Sequence, residues 1–330
     1  MATQNATAYS GTAGVPRVPL NSTIDLNGVY VSPAGGRTFH VRGDGSAILK
    51  YDDQYGQNTA DMNQRLWPSV ASVLPYCVAN RGDRIIVHQN HTENIGSADA
   101  WAFVAGLSIV GLGNGATRPI FTFTVAAATL LMDVAGITIQ NCQFLCAGPE
   151  AGNVALTVAA PFTVSGEGCV LIDNFFEVGV DADQICTTFM TITGKNVVFS
   201  RNTVRGLVVG AEITDVIVLT GADGAIITDN YMKVCVGVAQ GLIRSLTTAS
   251  VGVRIERNFI YSWKGSSTSC INFTAALANT GFVADNRLRV TTDGGVAHIG
   301  VNGAGDLSLY LNYGVNNVNE SGLAIGTAST

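Results

Sequence analysis

The chain has 330 residues, of which 47% are hydrophobic and 13% charged, with a formal net charge of −6, a pI near 5.1 and a mean hydropathy of +0.30. The negative balance argues against a nucleic-acid partner, because phosphate binding needs a basic stripe. No run of about 18 consecutive apolar residues is present to cross a bilayer as a helix. A chain this poor in charge, where about 25% is usual, is expected to bury surface against copies of itself or against other proteins.

Residues 1 to 30 are rich in Ala, Thr, Ser, Gly and Asn, with Pro16 and Pro19, and show no helical or strand period. They read as an extended arm. The opening Met1-Ala2-Thr3-Gln4-Asn5 has no basic or apolar segment, so no secretion signal is expected and the product is placed in the cytoplasm where it is made. From Val29 to Tyr51, short β-branched and aromatic runs alternate with Pro33-Ala34-Gly35-Gly36 and Gly43-Asp44-Gly45, which predicts a small antiparallel sheet. Residues 1–65 are therefore read as one unit, an arm and a small β region ahead of the repeats.

Between 66 and 79, Leu66, Val70, Val73 and Val78 recur near helical spacing behind Pro68, and Asn80-Arg81-Gly82-Asp83 supplies a stop. This predicts a short helix, limited by Pro75, capping whatever follows. Arg42-Gly43-Asp44 and Arg81-Gly82-Asp83 read as tight turns. Two irregular strands come next, 84–90 and 107–114.

From Gly136 onward one pattern returns: a β-branched strand that closes on asparagine. Asn141, Asn174, Asn202, Asn230, Asn258, Asn286 and Asn312 end successive copies, most of them 28 residues apart. A fixed period of this size means stacked structural repeats, and the unit here is a strand. The expected fold is all-β: a right-handed single-stranded parallel β-helix over 66–312, with 313–330 as a C-terminal tail.

Aligning the copies on asparagine produces columns. Leu171, Phe199, Ile227, Ile255, Val283 and Leu309 stand three residues before it, and Phe176, Val204, Met232, Ile260 and Leu288 two after it. Both files should face inward. The asparagines themselves are expected at a left-handed bend, their amides bonding to neighbouring copies as a ladder. Directly before them, Asp173, Arg201, Asp229, Arg257 and Asp285 alternate in sign, which predicts an outward charge ladder. Four before them, Ile137, Val170, Val198, Ile226 and Phe282 form an apolar outward column, interrupted by Arg254, and this is the candidate subunit interface.

Seven cysteines, at 77, 142, 146, 169, 186, 235 and 270, make an odd count suited to reduced, buried thiols. Cys142-x-x-x-Cys146 has no matching Cys/His pair, and Asp181-Ala182-Asp183 reads as a solvated turn, so no metal and no cofactor is predicted. Trp67, Trp101 and Trp263 are too scattered for a sugar-binding row. His40, His88, His91 and His298 lack a nucleophile or metal partner at useful spacing, and His88 and His91 are expected at the surface.

The segments V-V-F-S-R-N-T-V-R-G and A-I-I-T-D-N-Y-M-K-V resemble the rung consensus of pectate-lyase-like parallel β-helices. The stretch from Gly82 to Phe123, G-D-R-I-I-V-H-Q-N-H-T-E-N-I and G-L-S-I-V-G-L-G-N-G-A-T-R-P-I-F-T-F, is similar to β-helical virion proteins of tailed bacteriophages. The resemblance covers 66–312. Proteins of that kind decorate or cement capsids as trimers, or form spikes, and the resemblance leaves 1–65 unassigned. Together with the apolar outer column, the low charge and the N-terminal arm it implies a structural, non-enzymatic role as a homotrimeric capsid decoration, or cement, protein on the virion surface, with residues 1–65 expected as the attachment unit that contacts the major capsid protein. The alternative is a tail-spike or receptor-binding β-helix that cuts polysaccharide, with Asp173, Glu177, Asp229 and Glu256 as available carboxylates. A receptor-binding spike without catalysis lies between the two.

Overall fold

The computed structural model describes residues 36–43, 66–146, 156–181, 184–206, 213–236, 241–263, 269–273, 278–290, 299–301, 307–316 and 323–325. Within them the chain coils through three long sheets. Sheet 1 holds eleven strands, sheet 2 ten and sheet 3 seven. A regular coil runs sheet 3, sheet 1, sheet 2, as in Thr188–Ile192, Val198–Ser200 and Thr203–Gly206. Within the stack, strands pair in parallel with their counterparts one coil before and after, for example Leu171 with Ile139 and Phe199, while Leu323–Ile325 closes the end of sheet 2 antiparallel to Asn312–Asn316. The fold is a parallel β-helix.

Burial explains why these sequences make this coil. Leu171, Phe199, Ile227, Ile255 and Val283 on sheet 1 and Phe176, Val204, Met232 and Ile260 on sheet 2 are all fully buried. They meet Ile192, Ile217, Ile243 and Ile271 of sheet 3 in one continuous core. Near its N-terminal end this core is aromatic: Phe121, Phe144, Phe176 and Phe199 stack coil upon coil at centroid distances of 5.3, 5.5 and 5.7 Å. Such stacking adds to the area each ring buries.

The cap is a helix of one turn, Val70–Val73, continued by a 3-10 turn over Leu74–Tyr76 with Pro75 near its start. Ser69 caps it, and Glu93 accepts hydrogen bonds from the Val70 and Ala71 backbone N–H groups. Val70, Val73 and Leu74 close the end of the core. Asp83 is buried and accepts from the Arg37 and Val78 backbone and from the Arg81 guanidinium, which makes Arg81-Gly82-Asp83 a structural turn.

One expectation is corrected at this end. Thr38–Val41 belongs to no antiparallel hairpin; it pairs in parallel with Leu66–Trp67 and Arg84–Val87 and so forms part of sheet 1. Its alternation, with Phe39 and Val41 inward, suits a coil as well as a hairpin, and strand pattern alone does not choose the partner. Residues 29–35 and 44–51, Asp44 among them, lie outside the described residues. Among the described residues, no helix is long and apolar enough to cross a membrane.

Candidate functional site

The bend from sheet 1 to sheet 2 takes two residues, and the structure divides their roles differently from the sequence expectation. The left-handed residue is the one before asparagine: Asp173, Arg201, Asp229, Arg257, Asp285 and Leu311 have φ between 49° and 59°. The asparagine after it turns inward and is buried. Asn230 shows the unit. Its amide donates to the Phe199 carbonyl and to Oδ1 of Asn258, both at 2.9 Å, while its own Oδ1 accepts from the Asn202 backbone at 2.8 Å. Asn174, Asn202, Asn258, Asn286 and Asn312 belong to the same chain of bonds. Asparagine is required there because the slot needs a donor and an acceptor on one short side chain.

Asn141 is not in that file. Val170 pairs with Thr138 and Ile172 with Gln140, so the slot facing Asn174 is Cys142, whose backbone N–H donates to Asn174 Oδ1. Asn141 occupies the left-handed position, φ 54°, and its amide donates to the Gly111 and Gly113 carbonyls. The same shift of one residue moves Ile137 to the inside, where it is fully buried and unavailable as an interface. One slip flips every side chain to the other face. Val170, Val198 and Ile226 do stand on the outer flank of sheet 1, half-buried, and Phe282 is 54% exposed.

The charged column closes into discrete pairs. Arg201 binds Asp173 through two hydrogen bonds of 2.8 and 2.9 Å, and Arg257 binds Asp229 in the same way. These hydrogen bonds hold both carboxyls below the usual carboxylate range. Glu256 is engaged by Arg254 and Arg257 at 3.0 and 3.3 Å. A general acid at neutral pH needs its pKa moved upward, and these shifts run the other way. Burial does push Asp215 up, against the pull of Arg244 at 3.4 Å, but its carboxyl is enclosed beside sheet 3.

The other expected positions bear on structure. His91 is buried, bonded to Glu93 at 3.1 Å and packed on Phe121, which corrects its expected surface place: its ring completes the seat of the cap helix. His40 and His88 face each other at 3.0 Å. Trp101 lies in the core. All seven cysteines are buried and unbridged, and burial drives the Cys77, Cys142 and Cys270 thiols up to about 12. Among the described residues, no three His, Cys, Asp or Glu side chains gather as a metal would need. His298, Ala182 and Asp183 lie outside the described residues.

The chemistry that the sequence reading missed is on the outer flank of sheet 2. One residue after the ladder position, consecutive coils carry Phe175, Thr203, Tyr231, Phe259, Arg287 and Tyr313; three after it, Glu177, Arg205, Lys233, Tyr261 and Arg289. Tyr231 and Phe259 stack in parallel, centroids 5.1 Å apart and planes within 5°. Tyr261 is gripped between coils, with Lys233 Nζ 5.2 Å and the Arg289 guanidinium 4.8 Å from its ring centre. On this flank, among the described residues, four cations stand beside one carboxylate, Glu177, in a chain whose net charge is −6. Strand alternation carried the signal: positions one and three after asparagine must face out wherever position two faces in.

No family model and no curated protein matches the chain. Among solved structures it is similar to a rhamnogalacturonan lyase, with 10% identity and a TM-score of 0.37 over 84% of this chain and 87% of that one. It is also similar to the Dettilon tailspike protein, with 12% identity and a TM-score of 0.33 over 75% of this chain and 58% of that one. A third likeness is to the periplasmic alginate epimerase AlgG, with 15% identity and a TM-score of 0.25 over 72% of this chain and 49% of that one. The chain thus matches little more than half of the tailspike protein and about half of the epimerase.

Proposed function

We propose that the chain is a receptor-binding β-helix of spike type that lays a linear glycan along the outer flank of sheet 2 and does not cut it. The observation that carries this reading is the flank itself, a straight strip of aromatic and cationic side chains repeating about every 4.8 Å with the coils. A side-chain strip that repeats coil after coil suits an extended polymer, whereas a small ligand is held in a pocket. Catalysis is left out because Asp173, Asp229 and Glu256 are each bound to arginine, and the fourth carboxylate, Glu177, stands beside Arg205 with no second acid on its flank among the described residues. Affinity electrophoresis through gels containing host surface polysaccharide tests the reading: the full chain should be retarded and the Tyr231→Ala/Phe259→Ala double variant much less so. Equal mobility of the two, or release of new reducing ends or unsaturated products, would sink it.

The second reading is capsid decoration, in which homotrimers sit on the virion surface and residues 1–65 contact the major capsid protein. What favours it is the outer flank of sheet 1, where Val170, Ile172, Val198 and Ile226 are adjacent across three coils and offer copies an apolar surface to share. Native mass spectrometry at micromolar concentration decides whether copies meet at all: a trimer that Ile226→Asp dissociates fits, whereas a monomer throughout removes this reading.

A further inference from the structure

Ring orientation on the flank of sheet 2 says more about the ligand than its residue types do. Tyr231 and Phe259 come from adjacent strands and lie parallel at 5.1 Å, too close for rings side by side in one plane, so they overlap as an offset stack. One face of each ring is thereby used against the other. Tyr261 is enclosed in the same way, only 6% exposed, with Lys233 from the preceding coil and Arg289 from the following one held against its ring. An aromatic quadrupole is positive at its edge, so ring edges and cation heads here present the same sign.

Resting on the glycan-binding reading above, we propose that Lys233, Tyr261 and Arg289 form one anion subsite, which seats a carboxylate of a linear acidic polysaccharide above the edge of Tyr261. The two cations come from the coils before and after Tyr261 and both lie close to its ring, so a carboxylate centred over Tyr261 lies within reach of both, and charge-assisted hydrogen bonds of this kind are the strong ones. Arg287, the register partner of Phe259, extends the positive surface along the neighbouring column. Arg205, one coil before Lys233, has Glu177 as its own register partner on the other side and marks where the positive strip ends. Single-stranded nucleic acid is the less suitable polyanion, since it binds by stacking bases on open aromatic faces, and in the Tyr231 and Phe259 stack the facing sides are already used.

The test is affinity electrophoresis of the full chain through gels holding polygalacturonate, hyaluronate, polysialate or neutral dextran, with an oligo-dT strand titrated in solution. At least one acidic polymer should retard the protein more than dextran does. Lys233→Ala and Arg289→Ala should each weaken that binding roughly tenfold, Lys233→Arg should retain most of it, and Lys195→Ala should change nothing, all at an unchanged melting temperature. Retardation by dextran and the acidic polymers alike, untouched by the charge variants, would leave glycan binding standing and overturn the subsite. No retardation by any polymer, host polysaccharide included, would overturn both. Oligo-dT bound as tightly as the best acidic glycan would show a general polyanion surface and overturn the subsite as stated here.

Discussion

The outer flanks of sheets 1 and 2 are separated by a bend of two residues and rest on the same ladder of asparagines, yet their chemistry differs. Sheet 1 shows Val170, Ile172, Val198 and Ile226, with side chains half-buried where they stand. Sheet 2 shows Tyr231, Lys233, Arg205, Arg287 and Arg289, most of them exposed. Beneath both, Leu171, Phe199, Phe176 and Val204 are equally buried. The inner columns are bound by packing and hydrogen-bond satisfaction and must repeat; the outer columns are not, so whatever is particular to this protein is written there.

The largest expected effect breaks the ground the two flanks share. Asn230→Ala strands the Asn202 N–H and the Phe199 carbonyl in the core; each buried unsatisfied group costs about 1–3 kcal/mol, so a loss of roughly 3 kcal/mol is predicted. Denaturant midpoints measure it, and the flanks should fail together. If sheet 1 and sheet 2 unfold in separate steps, the common-ladder account is wrong.

A smaller effect sits at the corner between the flanks. Arg257→Ala should cost below about 1 kcal/mol at neutral pH, as exposed pairs do. It should also alter the acid limb. Asp173 and Asp229 have folded pKa values below their unfolded ones, so their contribution is complete above the ordinary carboxylate value of about 3.9 and is lost as pH falls through the lowered folded values. Arg257→Ala should therefore lose less stability than the parent between pH 7 and pH 3. Asp215, shifted upward by burial, acts in the opposite sense: its contribution weakens as pH rises. A steeper acid limb in the variant would contradict the pairing.

The smallest effect tests the geometry of the bend alone. Leu311 is left-handed, φ 49°, and 47% exposed, and a left-handed bulky residue costs about 1–2 kcal/mol. Leu311→Asn should raise the melting temperature slightly, because asparagine tolerates that conformation; a decrease would mean that Leu311 makes contacts its exposure hides.

These columns also mark how far the sequence could be read. The inward files and the buried asparagines were legible because each slot admits one kind of side chain. Asn141 misled because a left-handed bend accepts asparagine as readily as the ladder does, and only the pairing of Val170 with Thr138 separates the two. The flank of sheet 2 was legible in principle from alternation after each asparagine, but tyrosine, phenylalanine, arginine and lysine share no residue type to align by eye. The pairing of Thr38–Val41 with strands 25 or more residues later was not legible, since parallel partners lie far apart in sequence.

The central claim, that the flank of sheet 2 is the binding face, is tested most directly by lysine labelling. Lys233 lies on that flank, while Lys195, with 64% of its side chain exposed, lies at the bend from sheet 3 to sheet 1. Acetylation rates at both, read by peptide mass spectrometry with and without a saturating retarding polysaccharide, should show Lys233 protected several-fold and Lys195 unchanged. Equal rates at Lys233 with and without the polymer, or protection at Lys195 alone, would contradict it.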